Sequence, residues 1–301
     1  MQVKNITSID AGKTRKQILT WIRLGITLVC LTFMYYQLQE RNLFEGKINL
    51  PDWFYPALFL QVPLMILNWY LEIFRWKISL EPFESIRFND AAADVLGGLA
   101  MNWIGPFTTG DFLIRLASKK DKYKATSAIL LNRSIMLILT LLVGLYGIVI
   151  YMEYSISLTV VSIAVLAVIS LLFMLKKILV KFVSYFYELK RRLLFKIIAV
   201  SLVRYVVFLI QFFVLFKIVL PELSATLIIA GVGWIFFIRT AVPTLFGGLG
   251  LREVSAFFFF ENLVPDIQLV IYPVFILWII NTVLPSIIGV VLIWNLRIKI
   301  A

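Results

Sequence analysis

The sequence predicts an all-α polytopic membrane protein. It has about six full transmembrane helices plus two broken or re-entrant helical hairpins entering from opposite faces, eight or so membrane segments in all. Three observations predict this. The 301 residues are 61% hydrophobic, with a mean hydropathy of +0.93, whereas soluble domains run at about 45–50% apolar. Apolar stretches of about 20 residues recur, each the length that crosses a bilayer core. Basic residues gather in short segments between them, the pattern of loops held at the cytoplasmic face. No stretch is long and polar enough for a sizeable soluble domain, so residues 1–301 read as one transmembrane domain.

Residues 1–16 form a tail with Lys4, Lys13, Arg15 and Lys16 against Asp10. This basic excess, with Arg23 beyond it, places the N-terminus in the cytoplasm. The first apolar segment, about Ile18 to Leu38, is long for a signal peptide and lacks a small-residue cleavage site, so it reads as a helix. The next loop carries Glu40, Arg41, Glu45, Lys47 and Asp52 and belongs outside. The second helix runs from about Trp53 to Trp76. Residues 77–90 are polar, and 115–124 are basic through Arg115, Lys119, Lys120, Lys122 and Lys124. The third helix spans about Ala125 to Tyr151 and the fourth about Ser157 to Leu175. A strongly basic loop, about 176–196, follows. The fifth helix spans about Ile197 to Val219. The last spans about Gln268 to Trp294 and ends at Arg297 and Lys299, which places the C-terminus in the cytoplasm.

That charge pattern leaves 91–114 and 225–262 unable to cross simply. Each lies between loops assigned to one face, so each enters and returns. The first is too short for two crossings at about 20 residues each. The second is either a re-entrant hairpin or two short crossings. Each contains a break, "NWIGPFTTGD" and "VPTLFGGLGLRE". Non-helical backbone at membrane depth is tolerated only when buried in protein or lining a wet cavity. Each break has a proline, then glycine, then an acid opening a new apolar run: Pro106, Gly110 and Asp111; Pro243, Gly250 and Glu253. Two such breaks meeting near the midplane resemble transporter folds built on discontinuous helices.

Other chemistry is limited by composition. The net charge is +12, and there is no histidine and one cysteine, Cys30. The basic residues lie in short loops, so topology and anionic lipid explain them better than nucleic acid does. Histidine-based acid–base chemistry and His metal ligands are absent, so no metal or other cofactor is expected. No Walker A sequence is present.

The embedded charges are the candidate site. Thr108 and Asp111 have capping-box spacing, and a first-turn carboxylate also suits the helix dipole. Either effect accounts for Asp111, and the dipole also accounts for Glu253. Arg252 opposes the dipole and is costly at membrane depth. It calls for a visiting anion or for a carboxylate such as Asp94, Asp111 or Glu72. Arg133 and Arg204 start near the cytoplasm, where snorkelling is the default. Arg239 lies deeper. Glu72 and Arg75 are spaced to pair on one helix face. Asn102 and Asn281 suit interhelical hydrogen bonds. Gly97 and Gly98 suit close helix packing, and Phe257–Phe260 suits lipid or core.

"GGLAMNWIGPFTTGDFLIR" at 97–115, with Arg133 in the next helix, resembles the membrane domain of lysylphosphatidylglycerol synthases and related stand-alone flippase-like proteins. The matching positions are Asn102, Pro106, Gly110, Asp111 and Arg115. The second hallmark, a proline followed by Gly-Gly-Leu-Gly-x-Arg-Glu, matches Pro243, Gly247, Gly248, Gly250, Arg252 and Glu253. "NWYLEIFRWKISL" at 68–80 resembles that family's second helix. Two departures are Asp111 in place of the commoner Glu and a spacing of four to Arg115 where three is usual. No soluble aminoacyl-transferase domain is expected here, so the resemblance implies lipid translocation rather than lipid aminoacylation. It implies a cytoplasmic-membrane flippase-like protein acting on an anionic phospholipid or a polyprenyl-phosphate lipid. Arg252 would hold the phosphate, with Arg239 or Arg115, at free helix N-termini. An intramembrane lipid-linked transferase and an accessory scaffold in envelope assembly remain as alternatives, and a homo-oligomer stays open.

Overall fold

A computed structural model describes residues 21, 24–36, 39, 50–103, 109–154, 189–242, 244 and 246–300. The helices are α1 (Leu24–Tyr36), α2 (Phe54–Leu80), α3 (Phe88–Met101), α4 (Thr109–Ala117) and α5 (Lys122–Tyr154). After them come α6 (Arg191–Val219), α7 (Ala225–Ala241), α8 (Leu251–Phe260), α9 (Gln268–Trp278) and α10 (Leu284–Ile300). Among the described residues there is no strand. Four helices are long and apolar enough to cross a membrane: α2, α5, α6, and α9 running into α10 over Gln268–Trp294. These make the chain a membrane protein. The fourth helix expected from sequence, Ser157 to Leu175, lies outside the described residues, as do Pro106, Thr108 and Pro243.

Helix starts correct the expected boundaries. The basic residues Arg191, Arg192 and Lys196 sit on α6 rather than in the preceding loop. Long straight-chain cations are good helix formers, so the helix continues beyond its apolar part. α5 starts at Lys122, three residues before the apolar run. Asp121 sets that start: its Oδ1 accepts from the N–H groups of Tyr123 and Lys124, both at 3.0 Å. This is an N-cap, which satisfies donors that the first turn leaves orphaned. Ser224 caps α7 in the same way, accepting from Leu227 at 3.2 Å.

Two apolar cores occupy opposite ends of the bundle. One joins the first half of α2 (Phe54, Ala57) to the ends of α5 and α6, to α7 along most of its length, to the second half of α8, and to α9. The other joins the second half of α2 (Ile73, Trp76, Leu80) to α3 and to the beginnings of α5 and α6. Helices α3 and α4 pack as a hairpin beside the second core, and α7 and α8 pack as a hairpin within the first. The two interrupted segments therefore approach from opposite ends. Phe257, Phe259 and Phe260 are buried in the first core, while Phe258 is partly exposed.

Small residues set the spacing of these hairpins. A Cβ added at Gly98 would lie 2.5 Å from Asp111 Oδ1 and 2.9 Å from its Cα, so α4 rests directly on that glycine. Gly97 makes the equivalent approach to Ile293 of α10, 2.8 Å from a built Cβ. On the other side, Gly144 and Gly147 of α5 admit Phe237 and the Ala230–Trp234 turn of α7. Without a hydrophobic force between helices in lipid, such close approach is a main source of association.

The last span is also interrupted. Between α9 and α10, Ile279–Val283 forms a π-helical turn. Pro285 accounts for this locally. It has no N–H to offer the carbonyl four residues earlier, on Asn281. That carbonyl instead accepts from Trp69 Nε1 of α2 at 3.2 Å. Leu284 donates back to Ile279, five residues earlier, which is the π pattern.

Candidate functional site

The two interruptions meet at this π turn. From the first, Trp103 places its ring centroid 5.8 Å from that of Trp278 and donates from Nε1 to Ser286 Oγ at 2.9 Å. From the second, a Cβ built on Gly247 would lie 3.1 Å from Thr282 Cγ2 and 3.6 Å from Trp278 Nε1. Trp278 therefore touches both breaks. Charged groups fall into two sets around this meeting point, and the sets are built differently.

The first set belongs to α2, α3, α4, α5 and α6. Asp111 opens α4, where the Asn102 side chain accepts its N–H at 2.9 Å. Asn102, at the end of α3, thus makes an interhelical hydrogen bond that helps cap α4. The Asp111 carboxylate is taken by two arginines: Oδ1 by Arg115 Nε at 2.6 Å and Oδ2 by Arg133 Nη2 at 2.8 Å. Spacing of four on α4 puts Arg115 over its acid. Arg115 also reaches Glu72 Oε1 at 3.0 Å. Glu72 pairs further with Arg75 and, at 3.0 Å, with Arg204. Asp94 pairs with Lys119 at 2.6 Å and accepts from Trp76 Nε1 at 3.0 Å. Three carboxylates thus serve five cations, and a buried charge needs such partners.

Two expectations are corrected here. Arg133 and Arg204 do not run out to an interface alone. Each turns inward, Arg133 to Asp111 and Arg204 to Glu72 and to Asn68 Oδ1 at 3.0 Å. The acids there are multivalent and desolvated, which favours pairing over snorkelling. Nor do Asp94, Asp111 or Glu72 serve Arg252, because their bonds lie within this first set.

The second set sits on the α7–α8 break. Gly247, Gly248 and Gly250 all have positive φ, at 65°, 88° and 82°. This left-handed run is available to glycine without the Cβ clash. It turns the chain so that Arg252 Nη2 donates to the Gly247 carbonyl at 2.7 Å. Arg239 packs against Gly248, with Nε 3.0 Å from a built Cβ. Both guanidiniums lie over the Phe236 ring, at 5.9 Å for Arg239 and 5.7 Å for Arg252. Repulsion acts from Arg204 on Arg239 and from Arg239 on Arg252, while Glu253 attracts Arg252 without forming an ion pair.

Neither arginine of this set has a carboxylate partner among the described residues. Arg252 is 3% exposed and its Nε has no acceptor; Glu253 is 5% exposed and no side-chain donor reaches its oxygens. The two are sequence neighbours on a helix, so their side chains diverge. Glu253 occupies the first turn of α8, where the backbone N–H groups of Gly250, the N-cap residue, and of Glu253 itself act on its carboxylate. The helix-start account therefore fits Glu253. For Asp111, the two arginines add to its place in the first turn of α4, and Thr108 lies outside the described residues. Asn281 departs from expectation. It lies in the π turn, is buried, and has no partner for either side-chain amide atom.

The structure thus groups Asp111, Arg115 and Arg133 in one set and Gly247, Gly248, Gly250, Arg239, Arg252 and Glu253 in the other. Asn102 and Gly110 hold the start of α4, Gly110 against the backbone of Met101 and Asn102. Sequence reading missed Trp278, Trp103 and Lys119. The tryptophans carry no periodic signal within an apolar run. Lys119 is hidden in a basic stretch that looks like loop. No protein-family model, curated protein or solved structure matches this chain.

Proposed function

We propose that the protein is a flippase-like transporter that moves an anionic, phosphate-bearing lipid across the cytoplasmic membrane, with both termini in the cytoplasm. The observation that carries this reading is the pair Arg239 and Arg252. The cations of the first set share carboxylates, whereas these two lie together at the tip of a broken helix without one. A buried guanidinium left without an anion is costly, and a lipid phosphate supplies two acceptor oxygens in the geometry a guanidinium fits. The dipole of α8, whose N-terminus lies at this break, adds a partial positive charge.

The fold supports the same reading. Interrupted helices that approach from opposite ends and meet at mid-bundle give a site reachable alternately from each face. Acyl or isoprenoid chains would stay in the bilayer while the phosphate passes Arg252. The first set would act as a rigid frame, because its charges are satisfied internally. The resemblance to the membrane domain of lysylphosphatidylglycerol synthases points the same way.

The test is reconstitution of the full chain into liposomes carrying a labelled anionic phospholipid, with label accessibility measured at the outer leaflet. The expected result is movement by the unaltered chain and its loss in Arg252→Gln at equal incorporation. Equal rates in both would remove the site assignment. A chemically altered lipid would point instead to a transferase, and a co-purifying partner without movement to a scaffold.

A further inference from the structure

We infer that the transported lipid carries a neutral, hydroxyl-bearing head group beyond its phosphate, read by Asn281 and the tryptophans at the junction of the two breaks. This rests on the proposed transport function and adds the substrate's head-group class to it.

The π turn carries the argument. Asn281 is over nine-tenths buried, and neither its amide nitrogen nor its amide oxygen has a partner. A buried amide left this way loses the hydrogen bonds it would make in water. It can donate and accept at once, which is what a hydroxyl also does. A carboxylate would use only the donor side, and an ammonium only the acceptor side. Asn281 is next to Thr282, which touches Gly247, and Gly247 accepts from Arg252. The phosphate-binding arginine and the free amide are thus joined through one short chain of contacts.

Aromatic groups flank the same junction. Trp278 and Trp103 lie 5.8 Å apart, and the indole N–H of Trp69 is already committed to the Asn281 carbonyl. Flat apolar faces beside a few polar groups are the usual lining of small-molecule sites. They suit the C–H faces of a glycerol, inositol or sugar unit. The charge balance agrees. Arg239 and Arg252 against Glu253 leave one uncompensated positive charge, which a phosphodiester neutralises. A cationic head group would find only one acid outside an ion pair, Glu253, beside two arginines.

The test uses the detergent-purified full chain and short-chain lipids of equal acyl length. Binding of phosphatidylglycerol, phosphatidylinositol, phosphatidic acid and phosphatidylethanolamine is measured by calorimetry. The hydroxyl-bearing diesters are expected to bind roughly five- to tenfold tighter than phosphatidic acid, the worth of one or two hydrogen bonds. Asn281→Ala is expected to reduce that ratio to about one and to leave phosphatidic acid binding unchanged, since one amide is the source of the preference. Arg252→Gln is expected to weaken all the anionic lipids alike. If Arg252→Gln weakens them but Asn281→Ala keeps the ratio, the head-group inference is wrong and the transport reading stands. If Arg252→Gln has no effect on any of them, the transport reading itself fails. Tightest binding of phosphatidylethanolamine would overturn the neutral head group.

Discussion

The acids of the first interrupted hairpin and Arg252 and Glu253 of the second are all buried, yet only the first are held in ion pairs. Around Asp111 and Glu72, each acid holds two or three cations within 3.0 Å or less. Around Arg252 and Glu253, the polar contacts are to backbone: the Gly247 carbonyl for the arginine and the N–H groups of Gly250 and Glu253 for the acid. The same residue types therefore do different work at the two breaks. In the first they hold α2, α4, α5 and α6 together. In the second no ion pair closes on them among the described residues, and their compensation is weaker. Desolvated charge is stable when paired within the fold and available for binding when it is not.

Substitutions can break or sharpen this contrast. The largest effect is expected for Arg115→Gln, which leaves Asp111 and Glu72 short of a buried partner. A loss of about 3–5 kcal/mol is expected, read as a large drop in thermal midpoint in detergent. A drop no larger than that of a surface variant would show that the first set is not a structural frame. Next comes Gly98→Ala. Its methyl group would meet Asp111 at 2.5 Å, and overpacking of this kind costs about 1–3 kcal/mol. Chemical denaturation should show the loss, and Gly98→Ser should show more. Gly247→Ala, at a φ of 65°, should cost about 1 kcal/mol. The smallest change in stability is expected for Arg252→Gln, within about 1 kcal/mol either way, because the lost bond to Gly247 is offset by removing an uncompensated charge. A melting curve like that of the unaltered chain, with lipid binding lost, would set the two breaks apart most sharply. A collapse like that of Arg115→Gln would erase the difference.

Much of the architecture could be read from residue types. The four long helices follow from apolar runs, and the second break follows from Gly247, Gly248 and Gly250, where only glycine suits the backbone. The pairing of Glu72 with Arg75 follows from helix spacing. The inward turn of Arg133 and Arg204 was not legible, because their partners Asp111 and Glu72 lie on other helices and distances across a bundle leave no local pattern. The junction at Trp278 depends on a π turn whose one local sign, Pro285, also fits an ordinary kink.

That π turn sets the phase of the final span. It accommodates one residue more than a regular turn, so everything beyond Val283 is rotated by about 100° from where an unbroken α-helix would carry it. Ser286 reaches Trp103, Gly289 lies on the Leu96 carbonyl, and Ile293 packs on Gly97 only in this phase. Removing a single residue from Ile279–Val283 would keep the helix and its hydrophobicity intact while swinging all three contacts off the first hairpin. The alignment of one half of the molecule with the other is thus stored in a local miscount of residues per turn.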